Sequence, residues 1–353
     1  MKIAVYAIAL NEEKHVHQWL EATKDADVRL VADTGSTDKT VQLLQGAPNV
    51  IVHQISVKPF RFDDARNAAL ALLPTDVDMC LSLDMDEIPQ DGFFDVIRQN
   101  WTPDVNRIWV TWETGYKWQN NNRLHSRHGY RWSKPCHEVT EYYGDFFGGV
   151  EKSITLDLTV SHRPDDDKSR SQYLPMLQMA VAEAPNDARM WAYLTREYFF
   201  HDKWRETIES AEETLKAGGW YIERAASCRA AGEAFVHLKN KEMARDWFVK
   251  GVKEAPDQLE AWYSLAQFNY DIKNWQGCWD SAIKVETLEK EKHYLVNDDV
   301  WNWKCFDLLA LSGWYLGKKK EAMNYAVMAI QANPTEQRLI DNLEWMQKGN
   351  DNI

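Results

Sequence analysis

The chain has 353 residues, of which 44% are hydrophobic and 27% are charged, and its formal net charge at pH 7 is -13. This length is enough for two domains with substantial cores, and the excess of acidic residues argues against broad binding to the phosphate backbone of nucleic acids. The five cysteines are scattered and contain no C-x-x-C motif, which favours reduced thiols in a cytoplasmic setting over a disulfide framework or a zinc site. No apolar run approaches the roughly 20 residues that a membrane-spanning helix needs.

Short apolar runs alternate with helical patterns at the start of the chain. The first run leads directly into Asn11-Glu12-Glu13 without a small-residue cleavage site, so we interpret it as a strand rather than a signal peptide. This alternation predicts a mainly parallel sheet covered by helices. The first strand–helix turn lacks G-x-G-x-x-G, so a Rossmann dinucleotide site is unsupported. The predicted strands are residues 2–10, 28–32, 50–55 and 79–83, with further β-like segments at 108–114 and 150–162.

Three carboxylates follow the fourth predicted strand within four positions: Asp84, Asp86 and Glu87. The carboxyl end of a strand in an open α/β sheet is where such folds bind ligands. Asp84 and Asp86 lie two residues apart on the expected turn, so both can face one cation. Oxygen ligands of this kind suit Mg²⁺ or Mn²⁺. A solvated acidic turn is the alternative, and the D-x-D pattern alone favours that alternative.

Beyond Asp165 the sequence becomes helical and repetitive. Three similar proline-containing segments recur: Ala184-Pro185-Asn186, Ala255-Pro256-Asp257 and Asn333-Pro334-Thr335. Their prolines are separated by 71 residues (185 to 256) and 78 residues (256 to 334). These separations are close to twice the roughly 34-residue period of tetratricopeptide repeats. The pattern predicts about four stacked helical hairpins, with most of the tryptophans in the core. Such an array offers a groove for an extended peptide, a dimer interface or simple support for the first domain.

The first half contains four notable segments: Ala9 to Glu13, Asp33 to Asp38, Phe62 to Leu70 and Leu83 to Glu87. They occur in the order and with the spacing of motifs in family 2 glycosyltransferases, which the chain therefore resembles. A fifth segment, Tyr130-Arg131-Trp132 followed by Cys136-His137-Glu138, is similar to the one that these enzymes carry before the acceptor site. The resemblance covers about residues 2–165. It implies an α/β GT-A domain at residues 1–165, followed by an all-α tetratricopeptide-like repeat domain at residues 166–353.

The resemblance also implies a role for individual residues. The implied reaction is transfer of a sugar from a nucleotide donor, most often UDP-linked, with Mn²⁺ or Mg²⁺ as the cofactor. Glu138 is the implied catalytic base of an inverting transfer, while Thr34 departs from the acid that many relatives carry there. The donor-binding residues are expected to be Ala9, Asn11, Glu12, Asp33, Arg66 and Asp84. The metal ligands are expected to be Asp86, His162 and Asp84, and a loop with Arg123, Arg127 and His137 is expected to meet the diphosphate or the acceptor.

Two functions from different classes follow. The first is a metal-dependent glycosyltransferase whose repeats help to hold a protein, peptide or glycan acceptor, with a homodimer through the repeats left open. The alternative is a catalytically inactive, nucleotide-binding repeat scaffold for protein–protein interaction. The intact acids at positions 33, 84, 86 and 138 favour the enzyme. A nucleotidyltransferase is disfavoured because Ala9 to Lys14 contains no glycine.

Overall fold

The computed structural model describes residues 1–114, 116–121, 123–144, 148–163, 173–291 and 293–349. Internal contacts divide the chain into two compact units, Met1–Ala180 and Val181–Ile353. The division falls within helix α5 (Tyr173–Glu183), whereas the predicted boundary between residues 165 and 166 lies outside the described residues. Within the described ranges, no helix is both long enough and apolar enough to cross a membrane.

The first unit contains a mixed sheet that has nine strands in the described part of the chain. Its first four strands are parallel, in the order β3-β2-β1-β4, as the alternating pattern predicts. Beyond β4 the order continues β8-β6-β11-β5, and β8 and β5 run antiparallel to their neighbours, so the sheet is not mainly parallel throughout. The strands are β1 (Ile3–Ala9), β2 (Val28–Asp33), β3 (Val50–Gln54), β4 (Met79–Ser82), β5 (Glu87–Pro89), β6 (Arg107–Thr114), β7 (Tyr116–Asn121), β8 (Leu124–Ser126), the separately paired β9 (Tyr130–Ser133) and β10 (Val139–Tyr142), and β11 (Ser153–His162).

Both faces of this sheet are buried. Successive side chains of a strand point to opposite faces, and in β1 this places Ile3, Val5 and Ala7 in one apolar cluster and Ala4 and Tyr6 in another. A sheet covered on both sides needs near-continuous apolar strands, which explains why the β1 pattern carries no polar alternation. The covering helices of this unit are α1 (Val16–Ala22), α2 (Thr40–Gln45), α3 (Phe62–Leu72) and α4 (Phe93–Asn100).

The second unit is a series of helical hairpins, which confirms the predicted helical repeat region. Successive first helices of the hairpins, α6, α8, α10 and α12, pack against one another and so form one continuous face. The helices are α6 (Ala188–Phe200), α7 (Trp204–Ala217), α8 (Tyr221–His237), α9 (Lys241–Glu254), α10 (Leu259–Asp271), α11 (Trp275–Ala282), α12 (Cys305–Tyr315), α13 (Lys319–Ala332) and α14 (Gln337–Gln347).

Two of the three proline-containing segments have the same structure. The indole nitrogen of Trp191 donates to the carbonyl of Pro185 at 2.8 Å, and that of Trp262 donates to the carbonyl of Pro256 at 2.9 Å. Each bond joins the loop before a first helix to that helix's first turn. The Pro-to-Trp spacing is therefore a structural signature of the repeat, and these two tryptophans hold the loops against the helices.

The hairpin turns carry a second signature that sequence inspection missed. Asp202, Lys239, Lys273 and Gly317 follow the four first helices at the same place, and all four have positive φ, at 55°, 62°, 61° and 78°. The separations are 37 (202 to 239), 34 (239 to 273) and 44 residues (273 to 317). The last is longer because an irregular segment stands between α11 and α12. We call residues 287–297 the strap; a 3-10 turn (Ile283–Glu286) precedes it and a π-helical turn (Val300–Lys304) follows it closely.

Candidate functional site

The best-defined polar cluster of the first unit surrounds Arg66, on the buried side of α3. Its guanidinium donates to both carboxylate oxygens of Asp84, at 2.8 and 3.0 Å, to Glu138 at 2.6 Å and to the Ser82 hydroxyl at 2.9 Å. The guanidinium also lies 5.0 Å from the centre of the Trp132 ring. Bidentate pairing with a carboxylate is the strongest geometry available to arginine, so Asp84 is held firmly in place.

Arg123 adds a second cation to the cluster. It donates to Asp84 at 2.9 Å and to the two oxygens of Glu87 at 2.8 and 2.9 Å. Burial alone would raise the pKa of Asp84, but attraction by Arg66 and Arg123 holds the pKa of Asp84 well below its usual range. Burial instead raises the pKa of Glu87. Glu87 is the member of this cluster that the sequence assignment omitted, although it belongs to the same run of acids.

Asp86 and His162 form a separate pair beside this cluster. His162 Nε2 lies 3.4 Å from Asp86 Oδ2, and the hydrogen bond to Asp86 raises the pKa of His162. Strands β5 and β11 bring the pair together because Glu87, next to Asp86, is in register with His162. In the described residues no group of three or more His, Cys, Asp and Glu side chains is placed to hold a metal ion. Two of the three predicted ligands therefore face each other, while Asp84 is engaged by arginines.

The predicted donor residues at the ends of β1 and β2 hold their loops together. Asn11 Oδ1 accepts from the backbone N–H of Thr37 at 2.8 Å, and the Asn11 N–H donates to Ser36. The Asp33 carboxylate accepts from the N–H groups of Gly35 and Ser36, each at 3.1 Å. The remaining donor residues follow the same pattern: Glu12 donates its N–H to the Thr40 hydroxyl, and the Ala9 carbonyl accepts from Thr34.

The two other residues of the predicted loop do not join the Arg66 cluster by any contact given for the described residues. Arg127 donates to the carbonyls of Ala71 and Leu73 at the carboxyl end of α3. His137 has a positive φ of 51°, and its ring lies 5.7 Å from that of Tyr173. The tertiary structure thus joins Arg66, Asp84, Arg123 and Glu138, whereas Arg127 contacts the end of α3.

A second candidate site lies in the repeat unit, where the sequence pointed to no individual residue. A cavity of about 150 Å³ is lined by α6, α8 and strap residues Tyr294 and Leu295. Two arginines line it: Arg196, whose guanidinium lies 5.1 Å from the Tyr193 ring centre, and Arg229. Burial lowers the pKa of Arg229, and attraction by Glu260 offsets this only in part. The repeat-spacing anomaly before α12 is the one sequence signal that could have drawn attention here.

Two buried glutamates border this cavity and the strap. Glu223 accepts from Arg189 at 3.0 Å and from the Tyr294 hydroxyl at 2.6 Å. Glu260 Oε1 accepts from the N–H of Asn297 at 3.0 Å and from the indole of Trp301 at 2.7 Å. Glu260 Oε2 is buried and has no hydrogen-bond partner among the described residues. The site therefore combines a hydrogen-bonded Glu223, a Glu260 with one unpartnered oxygen, and two arginines at the cavity.

Comparison with known proteins identifies no family for the chain. No family model matches it, and no curated protein matches it. Matching solved structures include YrrB, described as a TPR protein with an unusual peptide-binding site, at 13% identity over 49% of this chain and 83% of that one, with a TM-score of 0.38. A MamA structure matches at 15% identity over 50% of this chain and 99% of that one, with a TM-score of 0.39. Pseudomonas aeruginosa pilF matches at 12% identity over 50% and 72%, also with a TM-score of 0.39.

These findings correct the assignment made from the motifs. The resemblance to family 2 glycosyltransferases and the prediction of an enzyme are wrong: of the matching structures just named, one is described as a TPR protein and none as a glycosyltransferase, and no family model matches the chain. The nucleotide-sugar donor is unsupported. The contacts supply a physical reason, because Arg66 occupies both Asp84 and Glu138, the carboxylates assigned to the donor and to catalysis. Arg66 therefore stabilises the charged form of both carboxylates inside the fold.

Proposed function

We propose that the protein is an interaction scaffold whose repeat domain binds an extended, acidic segment of a partner on the face formed by α6, α8 and α10. One observation carries this proposal. Arg196 and Arg229 line a cavity, and within the described part of the chain neither makes a hydrogen bond or ion pair. A partly buried guanidinium without a partner is costly, and a carboxylate supplied by a ligand removes that cost.

The size and position of the cavity support this ligand class. A cavity of about 150 Å³ is large enough for one acidic side chain. Glu223 does not repel that side chain strongly, because Arg189 and Tyr294 already engage its carboxylate. Stacked helical hairpins bind extended peptides along the face of their first helices, which gives a segment a continuous path past the cavity.

The test compares two peptides and three forms of the full chain. A fluorescein-labelled peptide of alternating Glu and Ser is titrated by anisotropy beside its Gln-for-Glu counterpart. The Glu peptide is expected to bind wild type at least tenfold more tightly than the Gln peptide. Arg229→Gln is expected to remove about tenfold or more of that affinity, consistent with about 1.5–3 kcal/mol for a hydrogen bond to a charged group.

Arg205→Gln is the matched control because Arg205 is an exposed arginine on α7, a second helix. This variant is expected to bind as wild type does. Equal binding of the Glu and Gln peptides, or equal loss in Arg205→Gln and Arg229→Gln, would overturn the acidic-ligand proposal.

A second proposal concerns the sheet domain, for which a GT-A arrangement and nucleotide binding without catalysis remain proposals. Its support is the placement of Asp33 at the carboxyl end of β2 and of Asp84 just beyond that of β4, the two parallel strands that flank β1. Asp84 is also close in sequence to the Asp86–His162 pair. Calorimetric titration of UDP with and without Mn²⁺ tests it. Metal-dependent binding that Asp86→Asn abolishes and the exposed control Asp91→Asn retains is expected. If UDP, GDP, CMP and dTDP all fail to bind, the proposal falls.

A further inference from the structure

We infer that the strap, residues 287–297, is a built-in ligand of the repeat domain: it lies on the face proposed to bind a partner, and a partner segment must displace it. The inference rests on the proposed function for the identity of the face. Its physical basis is independent, because it comes from contacts that the strap itself makes.

The strap contacts the first helices of three successive hairpins. Tyr294 reaches α6 through the Tyr193 ring, at 6.4 Å between centres, and α8 through its hydroxyl, which donates to Glu223 at 2.6 Å. His293 Nε2 lies 2.7 Å from Gln258 Oε1 at the start of α10. The Asn297 N–H donates to Glu260 in the first turn of α10. An extended ligand crossing the stack would make contacts of these same kinds.

Aromatic packing adds to these hydrogen bonds. Trp220, immediately before α8, lies 5.7 Å from the His293 ring and 5.9 Å from the Tyr294 ring, measured between ring centres. Four consecutive strap residues, His293 to Val296, are half-buried. The strap therefore covers this face by a few side-chain contacts instead of contributing to the fully buried core.

Two features distinguish the strap from an ordinary connection. It lengthens the spacing between equivalent turn residues to 44, where the preceding hairpins use 37 and 34. It also makes no helix or strand of its own in the described residues between 288 and 297. Loops joining helices in bundles usually have about 2–8 residues, so a longer irregular connection that returns across the stack is the exception.

Tethering gives the strap its advantage as a competitor. A segment held at both ends has an effective local concentration in the millimolar range, so a partner at micromolar concentration competes only if it binds more tightly per contact. The cavity beside Tyr294 offers a partner such a tighter contact. Leu295 borders the cavity without pairing with Arg196 or Arg229, whereas an acidic side chain of a partner can pair with both.

The experiment supplies the strap as a separate molecule. In the test variant an equal-length Gly-Ser linker replaces residues 289–296 of the full chain, which leaves Leu288 in its apolar cluster. A fluorescein-labelled peptide of residues 285–299 is then titrated into wild type and into this variant. The peptide is expected to bind the linker variant at least tenfold more tightly than wild type. A Tyr294→Phe peptide is expected to bind the variant several-fold more weakly, because it lacks the hydroxyl that Glu223 accepts.

The acidic Glu-Ser peptide separates this inference from the proposed function. If it binds the linker variant at least tenfold more tightly than wild type, strap and partner compete for one face. If it binds both forms equally, the strap inference is overturned and the proposed function survives. If the strap peptide binds the variant but the acidic peptide binds neither form, the proposed function fails and the face remains a binding face for the strap. If neither peptide binds, both are overturned.

A point variant provides a second test in case the linker variant does not fold. Tyr294→Phe in the full chain is expected to raise amide hydrogen exchange at residues 293–297 several-fold and to strengthen binding of the strap peptide. Tyr130→Phe is the matched control, because that hydroxyl donates to Glu151 at 2.8 Å in the sheet domain. Unchanged exchange at residues 293–297 in Tyr294→Phe would overturn the inference.

Discussion

At the scale of single residues, Arg66 shows how one side chain changes the meaning of a motif. A helix with acids and an arginine beside a D-x-D turn resembles a nucleotide site when read as sequence. In the folded chain the arginine is buried and pairs with Asp84 and Glu138, the acids that the motifs assign to donor binding and to catalysis. The cluster then acts as a structural connection from α3 to the end of β4 and to Glu138.

We predict that Arg66→Ala destabilises the protein by about 3–5 kcal/mol, because it removes the cation paired with the buried Glu138 and leaves Asp84 with Arg123 alone. Urea unfolding followed by circular dichroism measures this loss. Arg131→Ala is the matched control: Arg131 is exposed and its contact with Glu141 is long, at 3.4 Å, so the expected loss is at most about 1 kcal/mol. Equal stability of the two variants would show that the Arg66 cluster does not contribute as described.

His293 is the titrating residue of the strap. Its Nδ1 accepts from the N–H of Leu295 at 3.2 Å, while its Nε2 faces Gln258, so the neutral ring fits the docked strap. Burial lowers the pKa of His293; Glu260, Glu291 and Asp257 oppose this shift and Arg229 adds to it.

We therefore predict that the strap docks fully above the ordinary histidine pKa of about 6.5 and loosens as pH falls through the lowered pKa. The sign follows because the undocked ring binds a proton more readily than the docked ring does. Amide exchange at residues 293–297, corrected for its intrinsic pH dependence, measures the effect. His293→Gln is expected to give a flat profile over the same range; a pH dependence that persists in this variant would contradict the assignment to His293.

At the scale of elements, the turns that end the first helices hold their residues in an unfavourable backbone conformation. Lys239 and Lys273 adopt the left-handed conformation that Gly317 adopts at the equivalent position. This conformation is unfavourable in free energy for a residue with a Cβ atom. The repeat geometry imposes this conformation because each second helix must fold back onto the first.

We predict that Lys239→Gly and Lys273→Gly each raise the free energy of unfolding by about 0.5–1 kcal/mol, whereas Gly317→Ala lowers it by about 1 kcal/mol. Thermal unfolding with matched buffers measures these changes. Arg245→Gly, at an exposed position inside α9, is the control and is expected to lose up to about 1 kcal/mol. A loss in Lys239→Gly as large as that in Arg245→Gly would refute the turn argument.

At the scale of the whole molecule, the two compact units carry the two candidate sites separately. The Arg66 cluster and the Asp86–His162 pair belong to the first unit, while the cavity and the strap belong to the second. Each site is assembled from contacts inside its own unit.

We predict that peptide binding and any nucleotide binding are separable. Arg229→Gln is expected to weaken the acidic peptide about tenfold or more and to leave UDP titration unchanged, and Asp86→Asn is expected to leave peptide affinity within about twofold. Peptide affinity is also expected to fall as salt rises from 50 to 500 mM, since the proposed contact is between charges that water partly reaches. Loss of peptide binding in Asp86→Asn would contradict separate sites.

The sequence by itself determined the elements and their broad arrangement. Short apolar runs predicted β1 to β4, and the recurring proline-containing segments predicted the helical hairpins, because both patterns can be read along the chain itself. The tertiary structure decided which charges meet: Arg66 finds Asp84 and Glu138 18 and 72 positions away, and Tyr294 finds Glu223 71 positions away. No local pattern encodes such pairings, because they depend on how distant segments pack, and for that reason the motifs indicated an open ligand site where the fold had already paired the charges.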